Sequence, residues 1–300
     1  MSHVIHHPQV EADRRAVAKL REMVGKAPAP AMGPEGRPGF DHQLATKLAA
    51  PGVTYETAKV GGVPGVWCRP PNAQRGSVIL YLHGGGYVMG SATAARNYVG
   101  QIAVRANAAT FVADYRLAPE YPYPAAVDDA LAVYSGLAEL SRSIVIAGDS
   151  AGGGLALVTL ALVNKANRPA KGCVVLSPWT DLALTSPSLQ TRAAEDPILV
   201  PGQLAAAAKM YLGKHDSRDA RVSPVYGDLS ALPPVQLHVG DAEIMLDDAV
   251  RYAEKSANAV VHVWEGMPHV FPASVGTYEA AGVALEIVGA FMRERLHAAV

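Results

Sequence analysis

The chain has 300 residues, half of them hydrophobic and 18% charged, with a formal net charge of −1. That balance excludes a disordered chain, whose high charge and low hydrophobicity leave too little apolar surface to bury. With no run of Lys and Arg, it also excludes the electrostatic footprint of a nucleic-acid or anionic-membrane binder.

Two cysteines, Cys68 and Cys173, sit beside apolar residues. They read as buried free thiols, since two cysteines make no disulfide framework. No basic segment followed by a long apolar stretch opens the chain. The most continuous apolar run, Leu155 to Val163, is far shorter than the roughly 20 residues that span a bilayer. A cytoplasmic protein without a membrane span is the expectation.

Taken from the start, residues 9–26 read as a charged amphipathic helix, followed by a Pro/Gly-rich linker from Ala27 to Gly39 and a second short helix around 41–50. His3, His6 and His7 precede them in what reads as a mobile terminus. From residue 60 onward short apolar runs alternate with helical patterns. Ser77–Leu82, Thr110–Tyr115, Ser143–Gly148, Cys173–Ser177, Val235–Val239 and Val260–Trp264 read as strands. Most are continuously apolar, as in a parallel sheet covered on both faces. Helices are expected at about 95–107, 124–139, 152–166, 202–212, 246–257 and 277–297. The alternation predicts an α/β fold with a mostly parallel central sheet flanked by helices. Between Pro178 and Leu232 there is no strand pattern but a Pro-punctuated, partly helical insertion, a natural lid that the N-terminal helices could join.

Gly148-Asp149-Ser150-Ala151-Gly152 matches the G-x-S-x-G nucleophile elbow, in which Ser sits on a strained turn between strand and helix. The context fits: a strand pattern precedes it, and an almost wholly apolar helix follows. His83-Gly84-Gly85-Gly86 stands directly after the strand Ser77–Leu82. A glycine loop at that place brings backbone N–H groups close to a developing oxyanion, together with the N–H of Ala151. Neither glycine pattern typical of phosphate cradles occurs.

A serine hydroxyl needs a base to remove its proton. Of ten histidines, His238 and His262 lie within strand patterns and His297 lies near the end of the chain. His269 follows the last strand pattern in a loop, the late position expected in the order Ser, acid, His. The acid belongs in the loop after Val235–Val239, where Asp241 and Glu243 both stand close enough. Spacing alone does not separate them. Asp247 and Asp248 read as acids at a helix N-terminus.

Together these motifs resemble the bacterial hormone-sensitive-lipase family of esterases, in its GDSAG subgroup, within the α/β-hydrolase superfamily. The likeness also rests on Asp114–Glu120 (DYRLAPE), Tyr121–Ala126 (YPYPAA), Ser223-Pro224, Leu232-Pro233-Pro234 and Met267-Pro268-His269, and runs from about residue 60 to the C-terminus. In that family the acid usually appears as D-P-L-x-D. The matching stretch here, Glu243–Asp247 (EIMLD), puts Glu243 where Asp is usual. The resemblance therefore implies a Ser150–Glu243–His269 triad, with Asp241 as the alternative acid. It also implies an oxyanion hole of Gly85, Gly86 and Ala151. It further implies a catalytic domain over 51–300, with a cap built from residues 1–50 and an insertion at about 180–215. Homodimers are common among such proteins.

The expected reaction is hydrolysis of a small-molecule ester through an acyl-enzyme, with no metal or organic cofactor. A lactone hydrolase would use the same machinery on a cyclic ester, and a non-catalytic small-molecule receptor on this fold can lose the catalytic His, which is present here as His269. Phe40, Tyr87, Met89, Trp179, Leu199 and Met210 are candidates to line the pocket, although each also suits simple packing.

Overall fold

The computed structural model describes residues 4–25 and 31–297. Its centre is a sheet in which nine strands are paired among the described residues: β1 (Val4–His7), β2 (Thr54–Val60), β3 (Val63–Arg69), β4 (Ser77–Leu82), β5 (Ala109–Ala113), β6 (Ser143–Asp149), β7 (Gly172–Leu176), β8 (Val235–Gly240) and β9 (Ala259–Trp264). Their spatial order is β1-β9-β8-β7-β6-β4-β5-β3-β2. The pairs from β1 to β5 in that order are parallel, and β3 joins β5 and β2 antiparallel. The α/β expectation holds.

Successive side chains of a strand point to opposite faces, and both faces here are covered. Leu80 and Leu82 of β4 pack with Ile146 and Val175 beneath α4 (Ala125–Leu140), α5 (Ser150–Lys165) and α8 (Leu246–Lys255). Ile79 and Tyr81 face the other way, into a core shared with α3 (Ala92–Ala106) and α9 (Glu279–His297). The continuous apolar runs follow from this two-sided burial. Cys68 and Cys173 are buried free thiols. Burial pushes the Cys68 thiol up to about 12.

Three features depart from the sequence expectation. β2 and β3 form a hairpin where no strand was expected before residue 60. Its two-residue loop, Gly61-Gly62, has positive φ at both positions, 58° and 82°, as a turn matching the twist of the strands requires. β1 is an edge strand, pairing Val4 with Val261 and His7 with Trp264. The mobile-terminus reading is thus corrected for His6 and His7, while His3 lies outside the described residues. Finally, the second helix is α2 (Arg37–Ala45), earlier than 41–50, because Pro38 occupies its first turn, where a missing N–H is harmless. The first helix, α1, covers Glu11–Val24, and residues 26–30 of the expected helix end and linker are outside the described set.

The insertion between β7 and β8 carries the short α6 (Ser188–Thr191), α7 (Pro201–Leu212) and a 3₁₀ turn at Pro224–Tyr226. It is fastened to the first turn of α8. Asp248 accepts from the backbone N–H groups of Thr180 and Asp181, at 2.7 and 2.8 Å. Asp247 accepts from that of Ser188 at 2.7 Å. These two acids do stand at a helix N-terminus, but their carboxylates are committed to the insertion. No helix among the described residues is long and apolar enough to cross a membrane.

Candidate active site

The order of the sheet brings three loop segments together at the C-terminal ends of neighbouring parallel strands. β6 runs directly into α5, and Ser150, at the junction, has a φ of +53°. That is left-handed backbone, held in a non-glycine residue by its surroundings. The surroundings explain the flanking glycines. A Cβ on Gly148 would come within 2.3 Å of the Gly152 carbonyl oxygen. One on Gly152 would come within 2.1 Å of the Leu82 carbonyl oxygen.

His269 Nε2 lies 2.9 Å from Ser150 Oγ, and its Nδ1 lies 2.6 Å from Glu243 Oε2. An ionised carboxylate only accepts, so Nδ1 carries the ring proton and Nε2 presents its lone pair to the serine hydroxyl. All three side chains are buried. Burial is the largest single influence on His269 and lowers its pKa. The charge and hydrogen bond of Glu243, with the charges of Asp196 and Asp149, outweigh it and hold the ring above its ordinary 6.5. Such an arrangement can take a proton from Ser150 and hold it as an ion pair with Glu243.

Glu243 is itself well satisfied. Its Oε1 accepts from Ser177 Oγ and from the Gly240 N–H, both at 2.7 Å. Ser177 in turn accepts from the N–H of Val270, next to His269, at 3.0 Å. The structure turns Asp241 elsewhere: its Oδ1 accepts from the N–H of Gly266 at 2.5 Å. Of the two carboxylates the sequence left open, Glu243 meets His269.

The glycine loop follows β4. Gly85 and Gly86 both have positive φ, 119° and 65°. The loop is shaped by the Gly85 carbonyl, which accepts from the Val88 and Met89 N–H groups at 3.1 and 2.9 Å. The Gly85 and Gly86 N–H groups have no protein acceptor among the described residues. The Ala151 N–H lies in the first turn of α5, where no carbonyl four residues back is available. Behind the loop, Asp149 Oδ1 accepts from Tyr81 and Tyr98 hydroxyls at 2.9 and 2.6 Å. The Tyr115 hydroxyl donates to the His83 carbonyl at 2.6 Å. Burial raises the Asp149 pKa against these hydrogen bonds.

The six candidate pocket residues separate into two groups. Tyr87, Met89 and Trp179 are buried in the main core, while Phe40, Leu199 and Met210 are partly buried against it. Tyr87 stacks on Tyr211 of α7 with ring centroids 3.9 Å apart. Gly86 faces Met32 and Ala207, whose atoms would lie 3.0 and 3.3 Å from a Cβ built there. Ser177 and Asp196 are site residues that sequence reasoning missed. Ser177 read as the last residue of a strand pattern, whereas β7 ends at Leu176, and Asp196 lies in a stretch without periodicity, so neither carried a spacing signal.

Comparison with known proteins identifies the family and supports the fold. Residues 79–273 match the family model described as alpha/beta hydrolase fold. An acetyl-hydrolase from Streptomyces hygroscopicus is 37% identical over 246 residues, covering 79% of this chain and 82% of that protein. The crystal structure of an esterase/lipase from an uncultured bacterium superposes with a TM-score of 0.88 at 37% identity, over 94% of this chain and 99% of that one. An esterase described as a bacterial hormone-sensitive lipase family member superposes with a TM-score of 0.89 at 33% identity, over 96% and 99%. The chain belongs to the α/β-hydrolase superfamily, in its bacterial hormone-sensitive-lipase family.

Proposed function

We propose that this chain, a carboxylic ester hydrolase by family, cleaves short- to medium-chain acyl esters through an acyl-enzyme on Ser150. The observation that carries the reading is His269. One of its nitrogens lies 2.9 Å from Ser150 Oγ and the other 2.6 Å from Glu243, groups 119 and 26 residues away in sequence.

His269 takes the Ser150 proton as Oγ attacks the ester carbonyl. The Glu243 carboxylate stabilises the imidazolium that results. Gly85, Gly86 and Ala151 N–H groups receive the oxyanion, which needs donors fixed in advance of the charge. His269 then protonates the leaving alcohol and activates water to release the acid. The segment around Met32 and α7, which approach Gly86 through Met32 and Ala207, acts as a cap over the acyl site. The crowding there, and the acetyl-hydrolase among the relatives, support a preference for small acyl groups.

The test is hydrolysis of p-nitrophenyl esters from acetate to laurate, with ε-caprolactone in parallel, by wild type and Ser150→Ala. Turnover confined to the wild type and falling toward laurate is expected. Full activity in Ser150→Ala overturns the serine mechanism, and ε-caprolactone as the preferred substrate replaces the acyclic ester with a lactone.

A further inference from the structure

We propose that Asp196, from the insertion between β7 and β8, is a positioning residue that pins the Glu243 loop and, through it, the acid that meets His269. The proposal rests on the triad reading above. Asp196 stands between α6 and α7, in Glu195-Asp196-Pro197. Its carboxylate takes three backbone donors. Oδ1 accepts from Ile198 and Leu199 N–H groups at 2.8 and 2.9 Å, which closes a local turn. Oδ2 accepts from the N–H of Ile244 at 2.9 Å, 48 residues away. Ile244 directly follows Glu243. Its carbonyl also accepts from Ser188 Oγ at 2.8 Å, so the insertion holds the Ile244 backbone at both its N–H and its C=O.

The charge matters as well as the tether. The ionisable groups acting on His269 come from three elements: Glu243 after β8, Asp149 at the end of β6, and Asp196 from the insertion. All three favour its protonated form. Asp196 itself is pushed up chiefly by burial and held down by His269 and by the Leu199 and Ile244 N–H groups, with Glu243 repelling it. A carboxylate placed there stabilises the imidazolium formed during acylation. An Asn in its place would keep one acceptor oxygen but lose the charge and turn an amide donor toward one set of N–H groups. Neighbouring Glu195 does not substitute for it, since its carboxylate pairs with Arg192 at 3.1 Å.

The experiment is the pH profile of kcat/KM for wild type, Asp196→Asn and Asp196→Glu, with Ser150→Ala in parallel. The acid limb of kcat/KM reports the free enzyme's base, here His269. Removing a negative charge destabilises the imidazolium, so the acid limb of Asp196→Asn is expected to move to lower pH by about half a unit or more. Its kcat is expected to fall about tenfold from misplacement of the acid, with KM changed less. A purely structural role would lower the folded fraction without moving the limb. An acid limb coinciding with the wild type overturns the proposal. If Asp196→Asn does not fold, Asp196→Glu decides, since it keeps the charge and lengthens the tether. A wild-type limb with reduced kcat supports the proposal, and a displaced limb or an unchanged kcat overturns it. Activity retained by Ser150→Ala sinks the triad reading instead. An inert Ser150→Ala alongside an unmoved Asp196→Asn profile sinks only the role of Asp196.

Discussion

The hydroxyl of Ser177 donates to Glu243 Oε1 across 2.7 Å, while accepting from the N–H of Val270 at 3.0 Å. One small side chain thereby links the acid to the backbone beside the histidine. Ser177→Ala removes both bonds in a buried place, leaving the Val270 N–H unsatisfied. Loss of about 1–3 kcal/mol of stability is expected, with kcat lowered about tenfold as Glu243 and His269 drift from register. Urea unfolding and steady-state kinetics on one ester measure both. A variant with wild-type kcat would show that the Gly240 N–H suffices to hold Glu243 Oε1.

The two acids of the loop after β8 make a sharper contrast. Glu243 meets His269 at 2.6 Å, and Asp241 meets the Gly266 N–H. Glu243→Gln is expected to lower kcat on the order of a thousandfold or more, since a neutral amide fixes neither the tautomer nor the charge of the ring. Asp241→Asn should change kcat less than threefold. The pH profile carries an independent sign. His269 sits above 6.5 in the folded protein, because the carboxylates outweigh burial. In the proposed mechanism the base must be neutral, so activity is expected to rise with pH through a limb above 6.5. Glu243→Gln moves that limb downward. Equal losses from both substitutions would remove the distinction between the two acids.

How much of this was legible in the chain can be judged residue by residue. Ser150, the glycine loop and His269 are local signals, because a strained elbow and a close-approach loop demand glycines at fixed spacing. The β2–β3 hairpin was equally legible, since Gly61-Gly62 between Val60 and Val63 supplies the positive-φ pair a tight hairpin needs. Its exposed, polar β2 hid it from a search for apolar runs. β1 was not legible: it pairs with the last strand of the chain, His7 opposite Trp264, and four residues carry little pattern. Ser177 and Asp196 meet the site through hydrogen bonds to distant loops, and only the folded chain reveals such partners.

The β1 edge brings histidines together in a way that predicts acid sensitivity. His238 and His262 stack with centroids 4.6 Å apart, and His7 lies on Trp264 at 3.8 Å. The Trp264 indole N–H can only donate, so His238 Nδ1 accepts it at 3.3 Å and its Nε2–H faces Gln236 Oε1 at 3.1 Å. A second proton on His238 would set donor against donor. Burial, then the charge of neighbouring His7, lowers His262 to about 4, and burial chiefly lowers His238 and His7. His6, Asp241 and Glu265 line the same surface depression as His7. A depressed histidine binds fewer protons folded than unfolded, so stability is full above the ordinary 6.5 and falls as pH drops toward about 4. Thermal unfolding midpoints between pH 7 and 4 are expected to fall less steeply in His262→Gln than in wild type. Parallel slopes would place the acid sensitivity elsewhere.

Two glycines test whether backbone crowding, rather than glycine itself, holds the nucleophile. A Cβ at Gly152 would lie 2.1 Å from the Leu82 carbonyl oxygen and 2.3 Å from that of His83. Both are backbone atoms, and the His83 carbonyl is already fixed by Tyr115. Gly152→Ala must therefore push the elbow away from the glycine loop. About 2–3 kcal/mol of destabilisation is expected, with kcat falling more than KM rises, because the Ala151 N–H moves with the elbow. Gly282 offers the opposite case inside α9, where an added Cβ meets nothing within 4 Å. Gly282→Ala should stabilise by about 0.5–1 kcal/mol through helix propensity alone, with kcat unchanged. Thermal melts and kinetics of the pair, each against wild type, separate the two effects. A stable, fully active Gly152→Ala would show that β4 and α5 can separate without disturbing Ser150.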